Sequence, residues 1–205
     1  MKFNLEGKYF LMLKKVGDLV LLQLAFLITC IPIVTIGAGI TALYSVSRKL
    51  RKDSVSFVFQ TYFSDFKTNL KKSTAVWLLL LAAVVLLFID YSFYTTLASS
   101  FAWAVALAVF ILAFLICAVF IYIFPLIAWF ENDLKSHLKN ALILSIGHLG
   151  TTLLAMLILG GFALLAILAL QIFAFFGFSV SAYWLSILLS RVLIPEDGNE
   201  LEKEK

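Results

Sequence analysis

Two ionisable side chains lie inside long apolar stretches of this chain and are the first candidates for chemistry. Asp90 and His148 are each flanked by uncharged residues. A carboxylate or an imidazole within a membrane can relay protons or bind a cation. Asp90, however, falls near the end of its apolar run, and His148 has no acid, histidine or cysteine four residues away on either side. The spacing therefore favours a structural role for both candidates.

Motifs with a known catalytic or cofactor-binding mechanism are missing from the sequence. It contains no glycine-rich phosphate loop, no zinc-ligand spacing, no serine elbow and no nucleophile–base pair at a workable spacing. Cys30 and Cys117 sit in apolar runs without a second thiol nearby, which is typical of small buried hydrophobes. We therefore expect no catalytic residue, no cofactor and no metal ion, and we interpret the protein as non-enzymatic.

The elements that carry these residues must be membrane helices. Of the 205 residues, 63% are hydrophobic and 14% are charged, whereas a soluble domain has about a quarter of its residues charged. Several apolar runs exceed the ~20 residues that cross a bilayer as a helix. The sequence predicts an all-α, polytopic membrane protein with five to six membrane segments in one domain, 1–205, embedded in the lipid bilayer. A net charge of +4 is also found in nucleic-acid-binding proteins. In a membrane protein, however, lysine and arginine collect at the cytoplasmic flanks of the spans, so we expect no nucleic-acid partner.

The first apolar stretch, 15–50, is interrupted in its middle. Pro32 removes a backbone hydrogen-bond donor, and Gly37 and Gly39 allow a bend with little steric hindrance. We therefore take these three residues as a candidate hinge. One interpretation is a single span followed by a surface segment. The other is a broken hairpin of two helices that enters and leaves on the same side, either as a spanning pair or as a re-entrant loop.

An amphipathic helix is predicted over 55–72. Its apolar residues fall on one helical face, whereas Asp65 and the lysines fall elsewhere, which is typical of a helix lying in the membrane interface with its polar face in water. We expect it to turn into the next span at Ser73. A four-span bundle over 73–195 follows, with spans expected over about 74–95, 102–129, 141–168 and 178–194. Its polar bridge, 131–140, should expose His137 to water.

The distribution of positive charge predicts the orientation. The connections 96–101 and 171–177 contain none of the sixteen lysines and arginines. A broken hairpin over 15–50 would keep all sixteen on the cytoplasmic side, as the positive-inside rule favours. This interpretation gives six membrane segments with both termini in the cytoplasm, and five segments is the alternative. The cations of the inner side form a candidate docking surface: Arg51, Lys67, Lys71, Lys135 and Lys139.

Several stretches resemble the YesL-like family of bacterial integral membrane proteins, which is defined by a domain of unknown function. They are 31–37 (IPIVTIG), 41–44 (TALY), 63–72 (FSDFKTNLKK), 124–132 (FPLIAWFEN) and 138–141 (LKNA). The chain departs from the family pattern after Leu149, where it has Gly150 and Thr151 instead of Pro-Arg. The resemblance implies a plasma-membrane protein of Gram-positive-type bacteria, commonly encoded beside carbohydrate ABC transporters, and it brings no established activity or functional residue.

Two hypotheses on function follow. The first is an accessory or assembly component linked to carbohydrate uptake by an ABC-type transporter, with the cytoplasmic cations as its docking surface. The second is a small stand-alone transporter or channel, working as a homo-oligomer around the broken hairpin.

Overall fold

The computed structural model describes residues 5–52, 54–96, 102–168 and 170–194, with side chains at 13–52, 54–93, 103–168 and 176–194. These residues form α-helices and no strand, which confirms the all-α prediction. The helices are α1 (Leu5–Cys30), α2 (Ile36–Arg51), α3 (Val58–Thr96), α4 (Ala102–Trp129), α5 (Leu134–Gly147), α6 (Leu149–Leu168) and α7 (Leu170–Leu193).

A short irregular segment separates α1 from α2. Pro32 has an extended backbone, and a single 3₁₀ turn, Ile33–Thr35, leads into α2. The Thr35 hydroxyl donates to the carbonyls of Thr29 and Pro32, at 2.6 and 2.8 Å, and the Trp77 indole donates to the carbonyl of Ile33 at 2.9 Å. These side chains satisfy backbone acceptors that the helix break leaves without a helical partner.

The short helix α2 lies at the centre of the bundle. It packs against α1, α3, α4 and α7, and most of its 16 residues are buried. The first turns of α2 are rich in glycine, alanine, threonine and serine, which lets neighbouring helices approach closely. Because protein rather than lipid surrounds α2, this helix does not need the long apolar run of a lipid-exposed span.

Helices α2 and α3 approach each other closely at Gly37. A Cβ atom on Gly37 would lie 2.5 Å from Cβ of Trp77 and 2.7 Å from the carbonyl oxygen of Ser73. One turn further on, the hydroxyls of Thr41 and Ser73 are 2.8 Å apart. Gly39 faces the Phe26 ring of α1. Of the three candidate hinge residues, Pro32 lies in the helix break, while Gly37 and Gly39 lie inside α2 at close helix contacts.

The amphipathic segment and the span that follows it form one helix. We expected a turn at Ser73, and this prediction is wrong, because α3 runs unbroken for 39 residues. No glycine or proline occurs between Val58 and Thr96 to interrupt it. At ~1.5 Å per residue the helix is about 58 Å long, so it extends well beyond a hydrocarbon core of ~30 Å.

The span that we expected over 141–168 is divided at His148, whose backbone leaves helical geometry between α5 and α6. The non-helical part of the polar bridge 131–140 is short, because α5 already begins at Leu134. Among the residues that the structure describes, four helical segments are long and apolar enough to cross a membrane. They are Val58–Phe93, Trp103–Trp129, Leu149–Leu168 and Phe176–Leu193. The predicted five to six membrane segments are not confirmed.

The tightly packed part of the molecule lies around α2, and the far parts of the long helices extend away from it. Residues 121–127 of α4 are all buried, whereas Phe110 of the same helix is 69% exposed. In α3, Val76 is buried and Phe88 is 70% exposed. These exposed apolar side chains are suited to contact with lipid.

Replacing Gly37 by alanine tests the central helix contact. The added methyl group would force α2 and α3 apart, so we expect a loss of about 1–3 kcal/mol of stability, as for an overpacked core. Gly160→Ala in α6 is the matched control, because a Cβ atom there meets nothing within 4 Å, and it should be neutral or slightly stabilising. Thermal unfolding in detergent measures both variants, and equal melting temperatures would contradict the contact.

Candidate functional site

The C-terminal turn of α2 gathers three cations and fixes them to three different helices. A helix C-terminus favours positive charge, because its last carbonyls have no helical partner. The guanidinium carbon of Arg48 lies 5.3 Å from the ring centroid of Trp129 in α4. The Lys49 ammonium bonds both carboxylate oxygens of Asp65 in α3, at 2.8 and 2.7 Å. Arg51 donates to the Ser190 hydroxyl of α7 at 3.0 Å.

Asp65 is a site residue that sequence analysis missed. Its carboxylate is 17% exposed and also accepts a hydrogen bond of 2.7 Å from the Ser45 hydroxyl. We had placed Asp65 on the solvated face of an interfacial helix. Lys49 and Asp65 are sixteen positions apart on separate helices, so no local spacing signals the pair. The ion pair attaches the amphipathic part of α3 to α2.

Part of the apolar face of that segment packs on protein. Tyr62 is fully buried, its hydroxyl lies 2.6 Å from the Thr29 hydroxyl of α1, and it donates to the carbonyl of Gly39 at 3.4 Å. Phe59 is partly exposed at 43%. The segment is therefore anchored to α1 and α2 as well as being suited to the membrane interface.

Four of the five predicted docking cations are exposed. Lys67 and Lys71 lie one turn apart on α3, and Lys135 and Lys139 lie one turn apart on α5. We call these four residues the basic surface. Arg51, the fifth, is only partly exposed and is held by α7, so it does not extend this surface.

A hydrogen bond joins the two helices of the basic surface. The Lys72 ammonium of α3 donates to the carbonyl of Asn132 at 3.3 Å, and Asn132 lies in the loop that leads into α5. The α4–α5 connection is thereby tied to the amphipathic part of α3.

The two candidate intramembrane residues do not form a site together. Asp90 is exposed on α3, and His148 is exposed at the break between α5 and α6. The carbonyl of His148 accepts a hydrogen bond of 3.0 Å from the Thr152 hydroxyl, which is a structural contact. Within the part of the chain that the structure describes, no group of three or more His, Cys, Asp and Glu residues is placed to hold a metal ion.

His137 is buried, and our expectation that water surrounds it is wrong. It lies in the first turn of α5 and is fully shielded from solvent. Neither ring nitrogen has a hydrogen-bond partner of good geometry among the described residues. Burial and then the nearby Lys72 ammonium lower the pKa of His137, and the Asn132 backbone and Asp133 only partly oppose this shift. The imidazole is therefore held in its neutral form at neutral pH.

The architecture and the comparisons together indicate the class of protein but not its biochemical activity. Four long apolar helical segments among the described residues, of which those of α3, α4 and α7 contact the short central helix α2, indicate a helical membrane protein. A family model described as "Protein of unknown function, DUF624" matches residues 19–91, less than half of the chain. This range contains the helix break, the Gly37 contact and the Lys49–Asp65 pair. No curated protein and no solved structure matches the chain. The match agrees with a domain of unknown function, and the name YesL-like stays a prediction.

The state of His137 predicts a pH dependence of stability. Because the folded pKa lies below the ordinary value of about 6.5, the unfolded chain takes up a proton first as the pH falls. Stability should be fully present above about pH 6.5 and decrease below it. Thermal unfolding between pH 5 and 8 measures this slope. His137→Gln should flatten it, while His148→Gln, at an exposed histidine, should leave it unchanged. Parallel slopes in all three proteins would refute the role of His137.

Proposed function

We propose that the protein is a non-enzymatic accessory or assembly component of a bacterial cell membrane, which binds a membrane partner through the basic surface. The observation that carries this proposal is that α3 and α5 each expose two lysines one helical turn apart. Lysines one turn apart on a helix repel each other. An acidic surface on a partner would relieve this repulsion, and it would also steer the encounter electrostatically.

The rigidity of the basic surface supports a docking role. The lysine-bearing part of α3 is held by the Lys49–Asp65 ion pair and by the buried Tyr62 hydroxyl. The start of α5 is held through the bond between Lys72 and the carbonyl of Asn132. A surface fixed in this way loses little conformational entropy on binding, which favours affinity.

A carbohydrate ABC transporter is the partner that we propose, on the strength of the family resemblance. The acidic patch expected on it would face the basic surface on the cytoplasmic side. Such an interaction depends on ionic strength, because exposed charges are screened by salt within about 8–10 Å.

Charge reversal on the basic surface tests the docking. The variants Lys67→Glu/Lys71→Glu and Lys135→Glu/Lys139→Glu should lose most of the partner recovered with the tagged protein from native membranes, as identified by mass spectrometry. The matched control is Lys14→Glu/Arg191→Glu, which reverses two exposed cations on α1 and α7 and should retain the partner. If both lysine variants recover the same partners as the unaltered chain, docking through this surface is wrong.

We also propose that both termini lie in the cytoplasm, since neither 96–101, between α3 and α4, nor 171–177, at the start of α7, carries a cation. In a background with Cys30 and Cys117 replaced by alanine, Ser99→Cys and Gln171→Cys should react with an impermeant thiol reagent in intact cells. Lys139→Cys should react only after the cells are opened. The opposite pattern of labelling would invert the orientation and remove the basic surface from the cytoplasm.

A further inference from the structure

Helices α2 and α7 run side by side in the same direction. At one end, Arg51 bonds the hydroxyl of Ser190. At the other end, the Phe26 ring lies 5.0 Å from the Phe178 ring, and Gly39 faces the same Phe26 ring. Thus an early residue of α2 lies near an early residue of the described part of α7, and a late residue near a late one.

This register places two serines opposite each other. Arg51 and Ser190 are 139 positions apart, and Ser47 and Ser186 have the same separation. Each serine lies one helical turn before a member of the bonded Arg51–Ser190 pair. Since parallel helices of equal rise keep their register over one turn, the Ser47 and Ser186 side chains face each other across the α2–α7 contact.

The polar atoms at this level are buried and without partners. Ser47 and Ser186 are both 0% exposed. Among the described residues, neither hydroxyl oxygen has a hydrogen-bond partner, and the same is true of the Nε atom of Arg51. A serine in a helix can bond a carbonyl of the preceding turn, as Ser181 does with Phe178 at 2.9 Å. Three buried donors without partners at one contact are unusual, because each has a desolvation cost.

The chemistry of these donors defines the partner they suit. The Nε atom of Arg51 can only donate, and each serine hydroxyl can donate as well. Of the residues that the structure describes, no carboxylate pairs with Arg51, whose one hydrogen bond goes to the neutral Ser190 hydroxyl. A partner that accepts several hydrogen bonds and carries negative charge would satisfy the whole set.

The position of the contact suits such an anion. Ser190 lies near the end of the candidate span Phe176–Leu193, at the depth where lipid headgroups meet a membrane helix. Two other cations lie nearby in sequence at the same helix ends, namely Arg48 on α2 and Arg191 on α7. Their combined field attracts anions to this end of the bundle.

We propose that Ser47, Ser186 and Arg51 form a binding site for a phosphate-type oxyanion, supplied by a phospholipid headgroup or by free phosphate. The two serine hydroxyls and the Arg51 Nε–H donate to its oxygens. The guanidinium of Arg51 balances its charge, and the partly exposed side chain of Arg51 is the part of the site through which the anion enters.

Thermal unfolding of the full-length chain in a neutral sugar detergent tests the site. One arm adds inorganic phosphate against sodium chloride at equal ionic strength, and a second adds phosphatidylglycerol to the micelles. The melting temperature should rise in the arm that supplies the natural source. A rise with phosphatidylglycerol alone assigns the headgroup, and a rise with inorganic phosphate assigns the free anion. Unchanged melting in both arms would overturn the proposal and leave at most a buried water at this contact.

Variants assign the effect to these residues. Ser47→Ala/Ser186→Ala and Arg51→Gln should each weaken the apparent affinity by about tenfold or more, as expected from losing hydrogen bonds to a charged ligand. Ser181→Ala, which removes a hydroxyl that already has a partner, should keep the full response. A full response in the double serine variant would overturn the proposal. Without a ligand, that variant should melt higher than the unaltered chain, because it removes two unpartnered buried hydroxyls.

Discussion

The close approach of α2 and α3 is the constraint on which the rest of the structure depends. A side chain at Gly37 would overlap Trp77 and the backbone of Ser73, so the two helices meet through backbone atoms rather than through large side chains. This contact allows a helix of only 16 residues to sit inside the bundle. Once α2 is central, its C-terminal cations are placed within reach of α3, α4 and α7, and each finds a different neighbour.

The class of fold could be read from the sequence because it depends on composition alone. Apolar blocks longer than a bilayer is thick dictate helices. The cation-free segments were expected to mark where those helices reverse, but 171–177 is itself helical, because α7 already begins at Leu170. The helix boundaries within the blocks were harder to predict. Nothing local indicates whether 55–72 and the next span form two helices or one, and α3 is continuous because no residue in it breaks a helix. The helix break at His148 was also hard to predict, because the only local signal for it is the nearby glycines.

In the site, too, features of a single helix could be predicted, whereas contacts between separate helices could not. The exposed lysines of α3 and α5 were predictable, since uncompensated charge is excluded from an apolar core. The pairing of Lys49 with Asp65, the burial of His137 and the alignment of Ser47 with Ser186 that we infer from the helix register depend on how separate helices are rotated and aligned. A single sequence contains no periodic signal for such relations. Each of these polar residues also looks ordinary in its own helix, which is why sequence reasoning placed Asp65 and His137 in water.

The unbroken helix α3 has a mechanical consequence. Its lysine-bearing end and its lipid-exposed end belong to one rod without a glycine or proline, so the helix can curve gently but has no such residue to kink it sharply. The rod is held along its lysine-bearing half, where Tyr62 contacts α1 and where Asp65, Ser73 and Trp77 contact α2. A displacement of α2 therefore moves the lysines and the lipid-exposed end of α3 together, so the rod links the two ends of the molecule.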